Sequence, residues 1–142
     1  MAETTGPSQI LVPISPGELL DKITILRIKS RRMRDADQLA NVRRELALLE
    51  GTWQRAIGAQ AALPELAAEA AALETVNAVL WQIEDDIRAH EAAARFDAAF
   101  IELARAVYLR NDERAAIKKR INRQLNSSIV EEKSYQPYRR NP

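Results

Sequence analysis

The sequence predicts an all-α fold: an antiparallel bundle of four to five helices with a short N-terminal extended arm and a C-terminal tail. The length of 142 residues suits one domain with one core. Apolar residues recur at alternating spacings of three and four over 39–56 and again over 73–87, which is the pattern of a helix with one buried seam. The last glycine is Gly58, so no glycine interrupts helices in the second half of the sequence. Each seam needs a partner helix, and short connections between long helices supply one.

The N-terminal arm covers residues 1–14 and contains the apolar run Ile10–Ile14. Pro13 lies inside that run and limits it to an isolated or edge strand. The helix start that follows has a capping residue, a first-turn proline and a third-position acid, namely Ser15, Pro16 and Glu18. We therefore expect the first helix to run from Ser15 to about Arg34.

The second helix is predicted to begin after Asp35 or Asp37, either of which can cap it. Its seam consists of Leu39, Val42, Leu46, Leu49, Trp53 and Ala56. Gly51 and Gly58 each weaken a helix by about 1 kcal/mol relative to alanine, so the helix should bend or fray there and end before Pro64. We expect this whole seam to be buried against other helices.

The third helix is predicted from Glu65 to about Ala94, because neither glycine nor proline occurs in that stretch. Its seam consists of Leu73, Val76, Leu80, Ile83 and Ile87. The single histidine, His90, continues this seam and is expected at the edge of the core with one ring nitrogen hydrogen-bonded. We expect it to be structural.

The fourth helix is predicted to start after Asp97, which fits a capping aspartate with apolar residues on either side. A continuous helix from Ala98 to Leu125 is favoured. Asn111 and Asp112 could instead cap a separate fifth helix, and the sequence leaves that alternative open.

The chain therefore divides into an arm, a helical domain and a tail, at residues 1–14, 15–126 and 127–142. The tail contains Ile129, Val130 and Tyr135, which are apolar enough to dock on the bundle. Glu131 and Glu132 can meet basic side chains of the helices. We expect the tail to fold back onto the bundle.

Composition excludes several classes of site. The absence of cysteine and the single histidine exclude zinc sites and thiol chemistry, and the few glycines exclude a dinucleotide-binding or phosphate-cradling loop. No window is long and apolar enough to span a membrane, and the N-terminus does not have the pattern of a secretory signal. Nucleic-acid binding would need a larger basic excess with exposed aromatic residues. We expect a cytoplasmic protein with neither a membrane nor a nucleic acid as partner.

Two helices carry strips of polar side chains at helical spacing. The strip of the third helix consists of Asn77, Trp81, Glu84, Asp85, Arg88 and Glu91. The strip of the fourth helix consists of Arg105, Tyr108, Asn111, Asp112, Arg114, Lys118 and Asn122. If these strips face each other, the charges either neutralise one another as a structural network or leave arginine and lysine to hold an anion.

The first helix contributes a further set, Asp21 with Lys22 beside it and Glu18 three residues earlier. Acids on several helices can chelate Mg²⁺, as in all-helical nucleotide pyrophosphohydrolases, and the candidate set in this chain is Glu18, Asp21, Glu84 and Asp85. The acids and cations of the two strips balance, which favours a network or an anion site, so no metal site is predicted.

Several segments of the sequence, taken together, are characteristic of a family. They are PISPGELLDKITILRIKS, NVRRELALL, VNAVLWQIEDDIRAHE, FDAAFIELARAVYLRNDERAAIKKRIN and SSIVEEKSY. The chain resembles a bacterial family known as domain of unknown function 6165 from about residue 10 to residue 138. The family has no established activity, so the resemblance implies a shared fold and a set of candidate residues without a reaction. It also suggests a link to glycosyltransferases and surface-polysaccharide metabolism.

The sequence thus predicts a helical binding or interaction module whose polar groove holds an anionic, phosphate-bearing ligand such as a sugar nucleotide, with no cofactor. The candidate ligand-binding residues are Asp21, Lys22, Asn77, Trp81, Glu84, Asp85, Arg88, Arg105, Tyr108, Asn111, Arg114 and Lys118. Catalytic residues are not predicted. One alternative is an Mg²⁺-dependent phosphohydrolase, and another is a helical scaffold that forms a homodimer or binds a partner enzyme.

Overall fold

The computed structural model describes residues 8–138 and is all-helical there, which confirms the predicted class. The long helices are α1 to α4, at Pro16–Arg32, Ala36–Ile57, Pro64–Ala92 and Ala98–Gln124, and a 3-10 helix, Gly58–Ala62, joins α2 to α3. Residues 1–7 of the predicted arm and 139–142 of the predicted tail lie outside the described residues. None of the described helices combines the length and apolar character needed to cross a lipid bilayer.

The helices begin where short capping side chains occur in the sequence. The side chains of Ser15, Asp35 and Asp97 accept hydrogen bonds from the third backbone N–H of α1, α2 and α4. α3 has no capping side chain and begins at Pro64, whose ring fixes φ and which removes one of the N–H groups that a helix start leaves unpaired. The predicted starts of α1, α2 and α4 are confirmed.

α4 runs without a break from Ala98 to Gln124, so the alternative of a separate fifth helix after Asn111 is wrong. α3 ends two residues before the predicted Ala94. Ala94 itself has a left-handed φ of 52°, and this residue turns the chain toward α4.

The core forms where α1 lies against α3 and α4. α1 packs on all three other long helices, and α3 packs on α4. Glu69 pairs with Arg120 at 2.8 Å, while the His90 ring contacts Phe100 at the other end of α3, so α3 and α4 are antiparallel. The central buried residues are Leu20, Leu66, Leu73, Val76, Ile117 and Ile121.

The α2 seam differs from the prediction, because only Val42 in it is buried and the other seam residues are half-buried or exposed. The backbone of α2 approaches α1 and the 3-10 helix, but not α3 or α4 among the described elements. Only its last turns contact the central buried residues, through Trp53 and Ile57. The expectation that the whole seam is buried is therefore wrong. A heptad pattern shows that a helix has an apolar stripe, but it does not show how many helices cover that stripe.

Candidate functional site

A buried ion-pair cluster holds α1 against α3 and α4. Asp21 is only 1% exposed, and its carboxylate accepts hydrogen bonds from Arg114, with Nε 2.9 Å from Oδ1 and Nη2 on Oδ2. Asn77 of α3 donates to Asp21 Oδ1 and to Thr24 Oγ1, both at 2.9 Å. One carboxylate therefore links three helices.

Lys118 connects this cluster to the tail. Its Nζ lies 2.6 Å from Glu18 Oε2, 3.3 Å from Glu131 Oε2 and 3.9 Å from Asp21 Oδ2. Lys22 lies on the outer side of Glu18 at 3.7 Å and is exposed. The cation of Lys118 is thus shared among carboxylates from α1 and the tail.

The charges of the cluster stabilise one another. Burial alone would raise the pKa of Asp21, but hydrogen bonds from Arg114 and Asn77 outweigh it and hold that pKa below its usual value. Burial would lower the pKa of Lys118, but the hydrogen bond to Glu18 and the charges of Asp21 and Glu131 raise it. Within the described residues, no buried side-chain nitrogen or oxygen lacks a hydrogen-bond partner. The buried polar atoms of the cluster are therefore all satisfied by partners within the protein.

Gly17 determines the position of the cluster. Its backbone N–H donates to Asn122 Oδ1 at 2.7 Å, and a Cβ at this position would lie 2.6 Å from the carbonyl oxygen of Lys118. The first turn of α1 can therefore lie directly against the backbone of α4. One turn later, Asp21 faces Arg114.

The structure brings some of the predicted site residues together and leaves others apart. Asp21, Asn77, Arg114 and Lys118 form the cluster, Lys22 lies at its edge, and Asn111 accepts a long bond of 3.4 Å from Arg114. The remaining predicted residues lie outside it: Trp81, Glu84, Asp85, Arg88, Arg105 and Tyr108. Glu84 pairs with Arg88 at 2.8 Å and Arg105 with Glu102 at 2.9 Å, as neighbours on their own helices.

A cleft of about 760 Å³ lies between α4 and the tail. Its helix wall includes Asp112, Ala115, Ala116, Lys118, Lys119, Asn122 and Arg123. Its tail wall includes Ile129, Val130, Glu131, Glu132, Lys133 and Tyr135. Of the predicted site residues, Lys118 lines this cleft, and no residue of α3 does.

Lys119 and Arg123 are the cleft residues that the sequence reasoning missed. Both are exposed, and within residues 8–138 neither makes an ion pair or a side-chain hydrogen bond. They lie one turn apart on α4, and no acidic residue stands three or four positions from either of them. That absence of local acids was the available signal.

The tail forms its wall of the cleft by running back along α4. It begins at Ser127, whose N–H donates to the carbonyl of Asn122 at 2.9 Å, and continues past Glu131 at Lys118. At its far end, the Tyr138 hydroxyl donates to the Asp112 carboxylate, and the Tyr138 ring lies 5.0 Å from that of Tyr108. A second, smaller cleft of about 420 Å³ borders this contact.

Carboxylates of the described residues are not gathered into a metal-ligand set. No group of three or more histidine, aspartate or glutamate side chains suited to holding a metal ion occurs in the part that the structure describes. Of the four acids considered for Mg²⁺, Glu18 and Asp21 are paired with Lys118 and Arg114, and Glu84 is paired with Arg88.

Comparison with known proteins gives one relationship. No curated protein and no solved structure matches the chain. A family model matches residues 10–142, almost the whole chain, including every residue of the buried cluster and of the cleft. The chain therefore belongs to the family of unknown function DUF6165.

Proposed function

We propose that this protein is a small-molecule binding module that holds an anionic, phosphate-bearing ligand in the cleft between α4 and the tail. The observation that carries the proposal is the pair of exposed cations, Lys119 and Arg123, which line the cleft without an acidic partner in the described chain. The volume of about 760 Å³ lies in the range of pockets that hold small molecules.

The walls of the cleft supply complementary chemistry. The guanidinium of Arg123 can bind a phosphate through two parallel hydrogen bonds, and Lys119 adds a point charge one turn away. Asn122 and Asn126 line the same wall and offer neutral amide donors. Ala115 has a small side chain, which leaves room for a ligand beside the helix.

A sugar nucleotide is the ligand class we favour. Its diphosphate suits two adjacent cations, and its hydroxyl groups suit Glu131 and Glu132 as acceptors on the tail wall. The ring of Tyr135 is largely exposed at the same wall and offers a stacking surface. The link to surface-polysaccharide metabolism that the family resemblance suggests is in keeping with the same class. The cysteine-free composition fits a reducing compartment and supports a cytoplasmic location.

The phosphohydrolase alternative needs carboxylates that are available to a metal ion. Glu18 and Asp21 already neutralise Lys118 and Arg114, and Glu84 is paired with Arg88. Binding without hydrolysis therefore fits the described contacts better.

Titration calorimetry tests the proposal with inorganic phosphate, pyrophosphate and a nucleoside-diphosphate sugar, each with and without Mg²⁺. We expect the nucleoside-diphosphate sugar to bind, and Arg123→Ala to weaken the binding by about tenfold, which corresponds to about 1.4 kcal/mol. The matched control is Arg43→Ala, which removes an exposed arginine of α2 that has no ion pair within residues 8–138. It should leave the affinity unchanged.

Equal affinities of the two arginine variants, or no binding by any of the three anions, would contradict the proposal. Mg²⁺-dependent cleavage of the nucleoside-diphosphate sugar that is lost in Glu84→Gln would instead support the hydrolase.

A further inference from the structure

Two segments without helical structure leave the bundle at Asn122. The side-chain oxygen of Asn122 accepts the N–H of Gly17, just after the arm, at 2.7 Å. Its backbone carbonyl accepts the N–H of Ser127, at the start of the tail, at 2.9 Å. The arm and the tail therefore begin side by side on α4.

The arm is apolar and uncovered. Ile10, Leu11 and Val12 are 78%, 88% and 64% exposed. In the described part of the chain, the backbone of Ile10–Ile14 makes no hydrogen bond. Consecutive exposed aliphatic side chains on a backbone without partners are typical of a segment that is covered by another surface.

The arm is also stiff. Pro13 and Pro16 have fixed φ angles, and each restricts the residue before it, Val12 and Ser15, to extended conformations. Ser15 shows this with φ −72° and ψ 155°. The exposure of Ile10, Leu11 and Val12 shows that the described part of this arm does not pack on its own bundle.

The tail offers a second segment that lacks regular secondary structure and exposes apolar side chains. Ile129 and Val130 are exposed apolar residues in the wall of the cleft, and no backbone hydrogen bond involves Val130 or Glu131 in the described part of the chain. The arm is a suitable occupant beside charged cleft residues, because no charged residue occurs between Glu3 and Glu18. It would bring no unpaired charge into the contact.

From these observations we propose that the arm of one copy adds as a β-strand to the tail of a second copy, and that the exchange is reciprocal. Each copy then gives one arm and receives one, as two-fold symmetry requires. Main-chain hydrogen bonds between Ile10–Ile14 and Val130–Lys133 supply the pairing, and the aliphatic side chains are covered. The pairing involves the tail wall of the cleft, but neither the dimer nor its test requires the ligand.

Sedimentation equilibrium of the full chain over a wide concentration range tests the dimer. We expect the mass of two chains at high concentration, and Leu11→Asp should raise the dimer dissociation constant by about tenfold or more. The control is Leu48→Asp, which changes an exposed leucine of α2 and should leave the constant unchanged. The arm lies outside the helices, so Leu11→Asp should keep the melting temperature of the monomer.

Disulfide trapping tests which segments meet, since the natural chain has no cysteine. A mixture of Leu11→Cys chains and Val130→Cys chains should give a cross-linked heterodimer, in higher yield than a mixture of Leu48→Cys and Val130→Cys chains. A monomer at every concentration would overturn the proposal. So would a dimer that Leu11→Asp leaves intact, or a doubly substituted chain that forms its disulfide only within one copy.

Discussion

The inner and outer faces of α4 carry the same kinds of cation in opposite circumstances. On the inner face, Arg114 and Lys118 are paired with carboxylates of α1 and are largely removed from solvent. On the outer face, Lys119 and Arg123 border an open cleft and have no acidic partner in the described chain. Lys118 and Lys119 are neighbours in sequence and both line the cleft, but Lys118 is buried among carboxylates, whereas Lys119 is exposed. Residue type thus indicates a cation, whereas the surrounding acids determine whether it holds the fold or remains free for a ligand.

The largest expected effect comes from breaking the inner network. Asp21→Ala removes the carboxylate that Arg114, Asn77 and Lys118 share, and it leaves a guanidinium without its partner. We expect the free energy of unfolding to fall by about 3–5 kcal/mol, measured by urea denaturation. The outer-face control, Lys119→Ala, should change it by no more than about 0.5 kcal/mol. Similar losses in both variants would show that the two faces do not differ in this way.

A smaller effect is expected at the contact that positions the inner face. Gly17→Ala places a methyl group against the backbone carbonyl of Lys118, which cannot move aside as a flexible side chain would. We expect a loss of about 1–3 kcal/mol, checked by thermal melting. Gly51→Ala is the matched control, because its methyl group would meet only the flexible end of Arg55. It should stabilise α2 by about 0.5–1 kcal/mol, and destabilisation by both substitutions to the same extent would contradict the close approach of α1 and α4.

The smallest effect is on the pH dependence of stability. The pKa of Asp21 is lower in the folded protein than in the unfolded chain, so its contribution is present above the unfolded value of about 3.9. That contribution is lost as the pH falls from there through the folded pKa. Unfolding free energies measured at a series of acidic pH values should therefore decline less steeply in Asp21→Asn than in the natural chain. Identical slopes for the two proteins would contradict the pairing of Asp21 with Arg114.

The sequence predicted local features of the fold better than long-range ones. Ser15, Asp35 and Asp97 are recognisable as caps because a cap is decided by the next three residues. The burial of the α2 seam was overestimated, because the number of helices that cover an apolar stripe depends on the topology of the whole fold.

For the candidate site, too, local features were predicted better than long-range ones. Asp21 and Arg114 were both singled out, but they lie 93 residues apart, and helical spacing within one segment does not reveal such a pair. Trp81, Glu84 and Arg88 share a face of α3, as predicted from their spacing, but the described clefts lie along α4. Lys119 and Arg123 were missed because helical spacing picks out charges that have oppositely charged neighbours. These two cations are distinguished by having no acidic residue three or four positions away.

The contact between Gly17 and Asn122 has a consequence for the order of folding. α1 is synthesised before the other described helices, and the Asn122 side chain that Gly17 contacts is 105 positions later in the chain. The α3–α4 hairpin can pair through local contacts as it is made, but α1 can acquire its full set of contacts only when α4 has been translated. Until then, the part of α1 that packs on α4 in the finished protein remains exposed. Nascent chains that stop short of Asn122 should therefore be the species that molecular chaperones hold most strongly.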